Sequence, residues 1–531
     1  MSQGAPIFGF NEHKPELVAE VVRRVTQSTR DPLLALNDAA YLEMRRLRSG
    51  PEHAEWRALA GGLGRMTDEQ LKDKVGELVE RYAWDVAGNF DPRVYRFASR
   101  AMPPLLGTIL SPRAAAKNIT KLTNLSALDD RIVVQGPAEH VRKLATLGTV
   151  IFVPTHLSNL DSVVFGFALE RSELPPATYG AGKNLFTNPV LSFFMHNLGA
   201  YRVDRRLRHA LYKDVLKAYS CVLVERGYHS LFFPGGTRSR SGGVERKLKL
   251  GLAGTGVEAF ARTAIKGKPQ KVFFVPATIN YLLTLEAETL IDDFLQEEGK
   301  ARYIIEDDES TRVGRIAQFA QKLFRMGDSV VVRFGQPLDP FGNAVDEHGT
   351  SHDARGRAVD PLSYILGPDD RPRVDHARDA QYTRELGEAI CTHYKKDTVV
   401  MSTHLVASAA FDRLRRWVGK GDLFGILAHK DSVVVPRKDL AADVAALIET
   451  MRGLEAKGEL VLSAAVKQGT PEQVLDDAIR ALAAYHAQPA IAVSGANLVL
   501  ADTRLLFYYQ NRLAAHGLAF DAIAPKRRAA A

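Results

Sequence analysis

At 531 residues the chain exceeds what one hydrophobic core usually serves, so two or three domains are expected. Its 46% hydrophobic and 25% charged residues exclude a fibrous or disordered protein, and its two cysteines, Cys221 and Cys391, exclude a disulfide framework, match no metal spacing and favour a reducing compartment. A formal charge of +8 points to anionic partners, whether phosphorylated small molecules, an acidic membrane face, an acidic carrier protein or nucleic acid, without choosing among them.

The opening "MSQGAPIFGFNEHKPEL" lacks the basic and apolar regions of a signal peptide, and a cytoplasmic chain is expected. Residues 1–115 read as a helical N-terminal region: "ELVAEVVRRVTQ", "LNDAAYLEMRRLR", "DEQLKDKVGELVERYAWDV" and "DPRVYRFASRAM" place apolar residues three and four apart, with Asp or Asn at cap positions. Residues 116–340 change texture. Short Val-, Ile- and Phe-rich runs ("RIVVQG", "GTVIFVPT", "SLFFPG", "KVFFVPATINY", "SVVVRFG") alternate with helical stretches such as "LYKDVLKAYSCVLVERG", which predicts an α/β domain. The most apolar stretch, "NLFTNPVLSFFMHNLGAY" at 184–201, is interrupted by Asn, His and Pro, so no membrane-spanning helix is expected. Residues 341–380, rich in Asp, Gly, Pro and His, read as a linker or surface loop, and 381–531 as a mostly helical C-terminal domain. No fixed-period repeat is apparent.

Three loops each follow a predicted strand: "THLSNLD" after "TVIFVP", "GGTRSRSGG" after "SLFFP", and the end of "KVFFVPATINY". Ligands collect at the carboxyl ends of strands in open α/β sheets, so these loops are expected to share a cleft. In the first loop, His156 and Asp161 are five residues apart and would diverge by about 140° on one helix. With His156 in the loop and Asp161 in the first helical turn, the carboxylate can reach back to one ring nitrogen and leave the other as a base. Ser158 and Asp161 equally fit a capping box, with His156 an ordinary strand-end residue.

The second loop offers Gly235 and Gly236, whose backbone can approach a ligand closely, then Arg238, Arg240, Lys247 and Lys249, while "GAYRVDRRLR" adds Arg202, Arg205 and Arg206. The run suits a phosphate; it also reads as a solvated basic loop. "GTGVEA" at 254–259 only superficially resembles a dinucleotide turn, because no strand precedes it. His348, His352 and Asp353 lie in a polar loop and read as solvated, and His404 in "MSTHLVASAAF", with Ala409 where an acid would be, reads as structural. No G-x-S-x-G elbow or Walker A sequence is present.

In order, "HLSNLD", "GAYRVDR", "GGTRSRSG" and "FVPATINY" resemble the four blocks of the glycerolipid acyltransferases, whose first block is His-x4-Asp. The chain is most similar to the long, membrane-peripheral bacterial glycerol-3-phosphate acyltransferases, related to dihydroxyacetone-phosphate acyltransferase; "RGYHSLFFPGGTRSRSG" and "LADTRLLFYYQNRLAAHGL" also resemble that branch. The blocks span about 150–285, and residues 1–110 add little to the resemblance.

The resemblance implies a glycerolipid-acyltransferase-like mixed sheet flanked by helices, and transfer of a fatty acyl group from acyl-CoA or acyl carrier protein to glycerol-3-phosphate in phospholipid biosynthesis. His156, oriented by Asp161, would be the general base. Arg205, Arg238, Arg240, Lys249, Gly235, Gly236, Thr237 and Ser239 would hold the acceptor phosphate, with no metal or further cofactor. Peripheral association with the inner face of the cell membrane is implied as well, with Phe97, Leu105, Leu106, Ile109 and Leu110 in "VYRFASRAMPPLLGTILSPR" as a docking surface or, alternatively, a packed helix. One departure is Gly235, where the family usually has a glutamate associated with acceptor binding. It leaves open a lysophospholipid or another phosphorylated alcohol as acceptor, or a membrane-associated binding protein without catalysis. Nucleic-acid binding has only the charge and the tail "APKRR" behind it.

Overall fold

The computed structural model describes residues 5–98, 132–183, 186, 189–298, 330–419, 422–427, 433–483, 486 and 488–520. Among these, four helices open the chain: α1 (Phe10–Ser28), α2 (Pro32–Leu47), α3 (Pro51–Gly62) and α4 (Asp68–Val86). Their starts are written in the sequence. Asp31 caps α2 by accepting from Leu34 N, and Thr67 with Gln70 closes a reciprocal capping box on α4. Their apolar faces (Val18, Val21, Val79, Ala83) form a core with Tyr212, Val215 and Tyr219 of a later helix, so the N-terminal region packs directly on the α/β unit.

That unit is built on a seven-stranded sheet in the order β1-β7-β6-β2-β5-β3-β4. The strands are β1 (Ile132–Gln135), β2 (Thr149–Pro154), β3 (Thr178–Gly182), β4 (Ala200–Val203), β5 (Ser230–Leu231), β6 (Val272–Tyr281) and β7 (Val330–Phe334). β6, β2, β5, β3 and β4 run parallel; β7 pairs antiparallel with β6 and parallel with β1, so the sheet is mixed. Every residue of β2 and β6 is buried, as expected for central strands covered on both faces. Burial of a side chain such as Phe152 or Phe274 contributes about 1.5–3 kcal/mol.

The intervening helices are α5 (Ala138–Leu147), α6 (Asp161–Arg171), α7 (Pro189–Asn197), α8 (Ala210–Glu225), α9 (Ala253–Ile265) and α10 (Ala287–Glu298). "GTGVEA" lies inside α9. A Cβ on Gly256 would fall 2.5 Å from the Phe274 ring, so this glycine serves close helix–sheet packing and no nucleotide turn.

Residues 341–380 carry regular structure. β8 (Ala344–Val345), β9 (Ser351–His352) and β10 (Ala358–Val359) form an antiparallel meander, and a seven-residue repeat runs through it. Asp339, Asp346 and Asp353 each open an Asp-x-x-Gly-x turn in which the carboxylate accepts the backbone N–H groups two and four residues on. Gly342, Gly349 and Gly356 take φ of +86°, +74° and +76°, the left-handed conformation each turn demands. His352 is held by Asp346 at 3.0 Å, and among the described residues no His, Cys, Asp and Glu cluster could hold a metal ion.

Beyond the meander come α11 (His376–Lys396), α12 (Ser402–Val418), α13 (Arg437–Ala456), α14 (Pro471–Ala483) and α15 (Thr503–Gln510), followed by a 3-10 turn at Asn511–His516. Small two- and three-stranded sheets lie between them. α11 packs on the main sheet, where Tyr394 Oη donates to Val153 O at 2.8 Å. α15 and the turn after it cross the carboxyl ends of β2 and β6: Thr284 N donates to Tyr509 Oη at 3.1 Å, and Asn511 Nδ2 to Ser241 O at 2.9 Å. No helix among the described residues is long and apolar enough to cross a membrane.

Candidate active site

β6, β2 and β5 are neighbours in the sheet, so the loops at their carboxyl ends come together. After Pro154 the chain leaves β2, turns through residues 155–160 and starts α6 at Asp161. The Asp161 carboxylate, fully buried, sits inside that turn. Its Oδ2 accepts from Leu157 N at 2.6 Å, Ser158 N at 2.9 Å and His156 Nδ1 at 2.7 Å, while Oδ1 accepts from Tyr281 Oη at 2.7 Å. A carboxylate in the first helical turn is also favoured by the helix dipole. Capping and pairing with histidine are therefore not alternatives: one oxygen does both. Ser158 Oγ is turned elsewhere, donating to Glu286 Oε2 at 2.9 Å.

The acceptor-only carboxylate fixes the proton of His156 on Nδ1 and leaves Nε2 with its lone pair. The imidazole stacks on Phe233, with centroids 4.2 Å apart and planes 23° apart, and its side chain is 17% exposed. Burial, and then the neighbouring Asp161 charge, push the Tyr281 phenol well above its ordinary range, so it stays a donor.

The loop after β5 is tied to the same histidine. Ser239 N donates to His156 O at 2.7 Å, and His156 N donates to Glu245 Oε1 at 2.9 Å. Arg238 is mostly buried and pairs with Glu286 Oε1 at 3.3 Å; the same carboxylate accepts from Asn159 N at 3.0 Å. Burial raises Glu286 above the usual carboxylate range, against the pull of Arg238. Arg205, two residues beyond β4, is exposed.

Gly236 has φ +74°, and a Cβ there would fall 2.4 Å from Lys249 Cδ and 2.9 Å from Nζ, so the lysine lies across the glycine turn. Gly235 has its missing side chain's place flanked by Glu245, 3.4 Å to Cγ and 3.5 Å to Oε1. Gly235, Gly236, Arg238 and Lys249 thus lie on or against the loop that is tied to the His156 turn.

Other expected residues do not join them. The Arg240 guanidinium pairs with Glu297 of α10, Ser239 Oγ donates to Gly243 O at 2.8 Å, and Thr237 is exposed. Arg206 is held by Asp204, and Arg202 lies over Phe186. His404 is buried and accepts from Met401 N at 3.2 Å, a structural position. Leu105, Leu106, Ile109 and Leu110 lie outside the described residues; Phe97 is exposed and stacks on Phe194.

Residues 131–280 match the family model described as Acyltransferase. This segment is similar to an acyltransferase domain. The chain is 28% identical over 278 residues to a glycerol-3-phosphate acyltransferase of Pseudomonas fluorescens Pf-5, covering 52% of this chain and 30% of the relative. It is 29% identical over 213 residues to a Pasteurella multocida protein of the same name, covering 40% of this chain and 24% of the relative. The aligned stretches therefore span less than a third of these relatives' lengths. A solved 1-acyl-sn-glycerophosphate acyltransferase from Thermotoga maritima is 15% identical, covers 56% of this chain and 92% of its own, and superposes with a TM-score of 0.25.

Sequence reasoning missed four contributors to the candidate site. Glu286 ties Arg238 to the His156 loop, Tyr281 clamps Asp161, Phe233 supports the imidazole, and Glu245 holds the His156 backbone. Tyr281 ends "ATINY" and Phe233 precedes the glycine loop, so both were within motifs already in view. Glu245 and Glu286 carry no local signal.

Proposed function

We propose that this chain transfers a fatty acyl group from an acyl thioester to the hydroxyl of glycerol-3-phosphate. The observation that carries the reading is the His156–Asp161 pair, 2.7 Å apart, in a turn to which the Arg238 loop is tied through Ser239 N and Glu286. The names of the Pseudomonas and Pasteurella relatives support the choice of acceptor.

In this reading the guanidinium and ammonium groups grip the acceptor phosphate and so place its hydroxyl near His156, converting encounter into orientation. Nε2 takes the hydroxyl proton as the oxygen attacks the thioester carbonyl, a contribution of roughly 10²- to 10⁴-fold. Asp161 stabilises the imidazolium that forms. Collapse of the tetrahedral intermediate expels the thiolate, which recovers the proton from His156. Acyl-CoA and acyl carrier protein are both acidic, which suits a protein of charge +8. Peripheral association with the inner face of the membrane delivers a lipid product where it is used.

Gly235 favours a second reading. With Glu245 packed into the space beside it, the acceptor end of the pocket differs from one with a glutamate at 235, and a lysophospholipid or another phosphorylated alcohol becomes the rival acceptor. An acceptor screen with thioester release as readout, run on wild type and Gly235→Glu, tests both. Turnover with glycerol-3-phosphate above the other acceptors supports the first reading. Preference for a lysophospholipid supports the second, and no turnover with any acceptor, with liposome binding retained, points to a binding protein.

A further inference from the structure

Gly235 and Glu245 stand on the same loop after β5, and the structure sets them face to face. Gly235 has no left-handed φ, so the backbone itself does not call for glycine there. What the missing side chain leaves is room. A Cβ at 235 would meet Glu245 Cγ at 3.4 Å, Thr237 O at 3.4 Å and Glu245 Oε1 at 3.5 Å. The Cβ alone would be in ordinary contact, but the Glu245 carboxylate already stands where a glutamate at 235 would carry its own oxygens. Glu245 Oε1 is engaged there, accepting His156 N at 2.9 Å. Two more holds on His156 come from the same loop: Ser239 N donates to His156 O at 2.7 Å, and the Phe233 ring stacks on the imidazole. The Asp161 bond to Nδ1 comes from the other side, from α6.

We propose that Glu245 is a positioning residue for the reaction at His156 and that Gly235 is the gap that admits it: the space between position 235 and the His156 N–H takes one carboxylate, which this chain supplies from 245. The inference rests on the acyl transfer proposed above. Glu245 acts through the main chain of His156, not on the substrate. A base takes a proton efficiently when its ring nitrogen lies within hydrogen-bond reach of the hydroxyl, and a displacement of about 1 Å can lower the rate about 10²-fold. With its N–H and C=O both bound to the loop after β5, His156 keeps its place relative to Arg238, which that loop also carries. An ionised acceptor makes the stronger bond to a backbone N–H, so a carboxylate serves better here than an amide. Two carboxylates in that space would repel each other, so glutamates at 235 and 245 exclude one another. The departure at Gly235 is thereby matched by Glu245.

The test uses the full chain with Glu245→Ala, Glu245→Gln, Gly235→Glu and the swap Gly235→Glu/Glu245→Ala, measuring kcat and acceptor KM by thioester release beside thermal melting. Glu245→Ala lowers kcat at least about tenfold with KM within about twofold, and Glu245→Gln, which keeps an oxygen for the His156 N–H, loses less. Gly235→Glu alone lowers kcat at least about fivefold, because two carboxylates compete for one place. The swap returns kcat to within about fivefold of wild type, so the two harmful changes compensate each other. Folded Glu245→Ala with kcat within about threefold of wild type overturns the proposal, as does Gly235→Glu as fast as wild type. A swap that stays more than about fivefold below wild type, or that does not fold, overturns it too. Should Glu245→Ala fail to fold, the swap decides by that same limit of about fivefold. Wild type inactive with every acceptor defeats the acyl-transfer reading; active wild type with an indifferent Glu245→Ala defeats the role of Glu245 alone.

Discussion

Asp161→Asn separates the two jobs of one carboxylate. The amide is isosteric, so its oxygen can stand where Oδ2 takes Leu157 N, Ser158 N and His156 Nδ1, while its NH2 faces Tyr281 Oη, which can turn to accept. The cap survives and the charge does not. Each of the three bonds weakens by about 1 kcal/mol on losing a charged acceptor, about 3 kcal/mol together, and relief from burying a charge works in the opposite direction, so melting shifts little. The imidazolium formed during proton transfer, however, loses its counter-charge. That costs about 3–5 kcal/mol at the transition state, a kcat about 10²- to 10⁴-fold lower with acceptor KM nearly unchanged. Thioester release under saturating acceptor, beside a melting curve, measures both. A folded Asp161→Asn enzyme with kcat within about fivefold of wild type refutes the reasoning and leaves Asp161 as a helix-terminus residue only.

Gly236→Ala meets both a left-handed φ and the Lys249 side chain, so acceptor KM rises about tenfold with a stability loss of about 1 kcal/mol, read by saturation kinetics and urea unfolding. Gly256→Ala drives a methyl into the Phe274 ring between α9 and β6 and costs about 1–3 kcal/mol by denaturant unfolding, because a packed core does not yield. Burial pulls His209 and His229 from 6.5 down to about 4, and each accepts a backbone N–H through Nδ1. A base whose folded value is depressed is protonated first in the unfolded chain, so stability falls as pH drops from about 6.5 to about 4 and is then exhausted, by up to about 3 kcal/mol per ring. His209→Asn keeps a capping oxygen before α8 and makes that decline shallower by about one proton in urea titrations between pH 7 and 4.

The strand-and-loop grammar of residues 132–281 made the parallel core and the loops after β2 and β5 legible, because buried strands are written as apolar runs and their carboxyl ends carry the polar motifs, whereas "ATINY", expected as a loop, is the buried end of β6, paired with β7. The His156–Asp161 contact was legible as one of two readings, and local geometry merges them. The meander was not, since its seven-residue repeat lies in turn residues, Asp339, Asp346 and Asp353 with their glycines, and no apolar period marks it. Glu245 and Glu286 were invisible for another reason. Their partners are 89 and 128 residues away, and a lone acid carries no sign of the loop it will meet.

The central claim is that the imidazole of His156 is the base for acyl transfer to a phosphate-bearing alcohol. Its most direct measurement is free thiol release and lysophosphatidate formation from palmitoyl-CoA and glycerol-3-phosphate by wild type and His156→Ala, with matched melting curves. The account predicts turnover by wild type and a loss of at least about 10²-fold in the variant. An undiminished rate in folded His156→Ala, or no turnover by wild type with any phosphorylated alcohol, contradicts it.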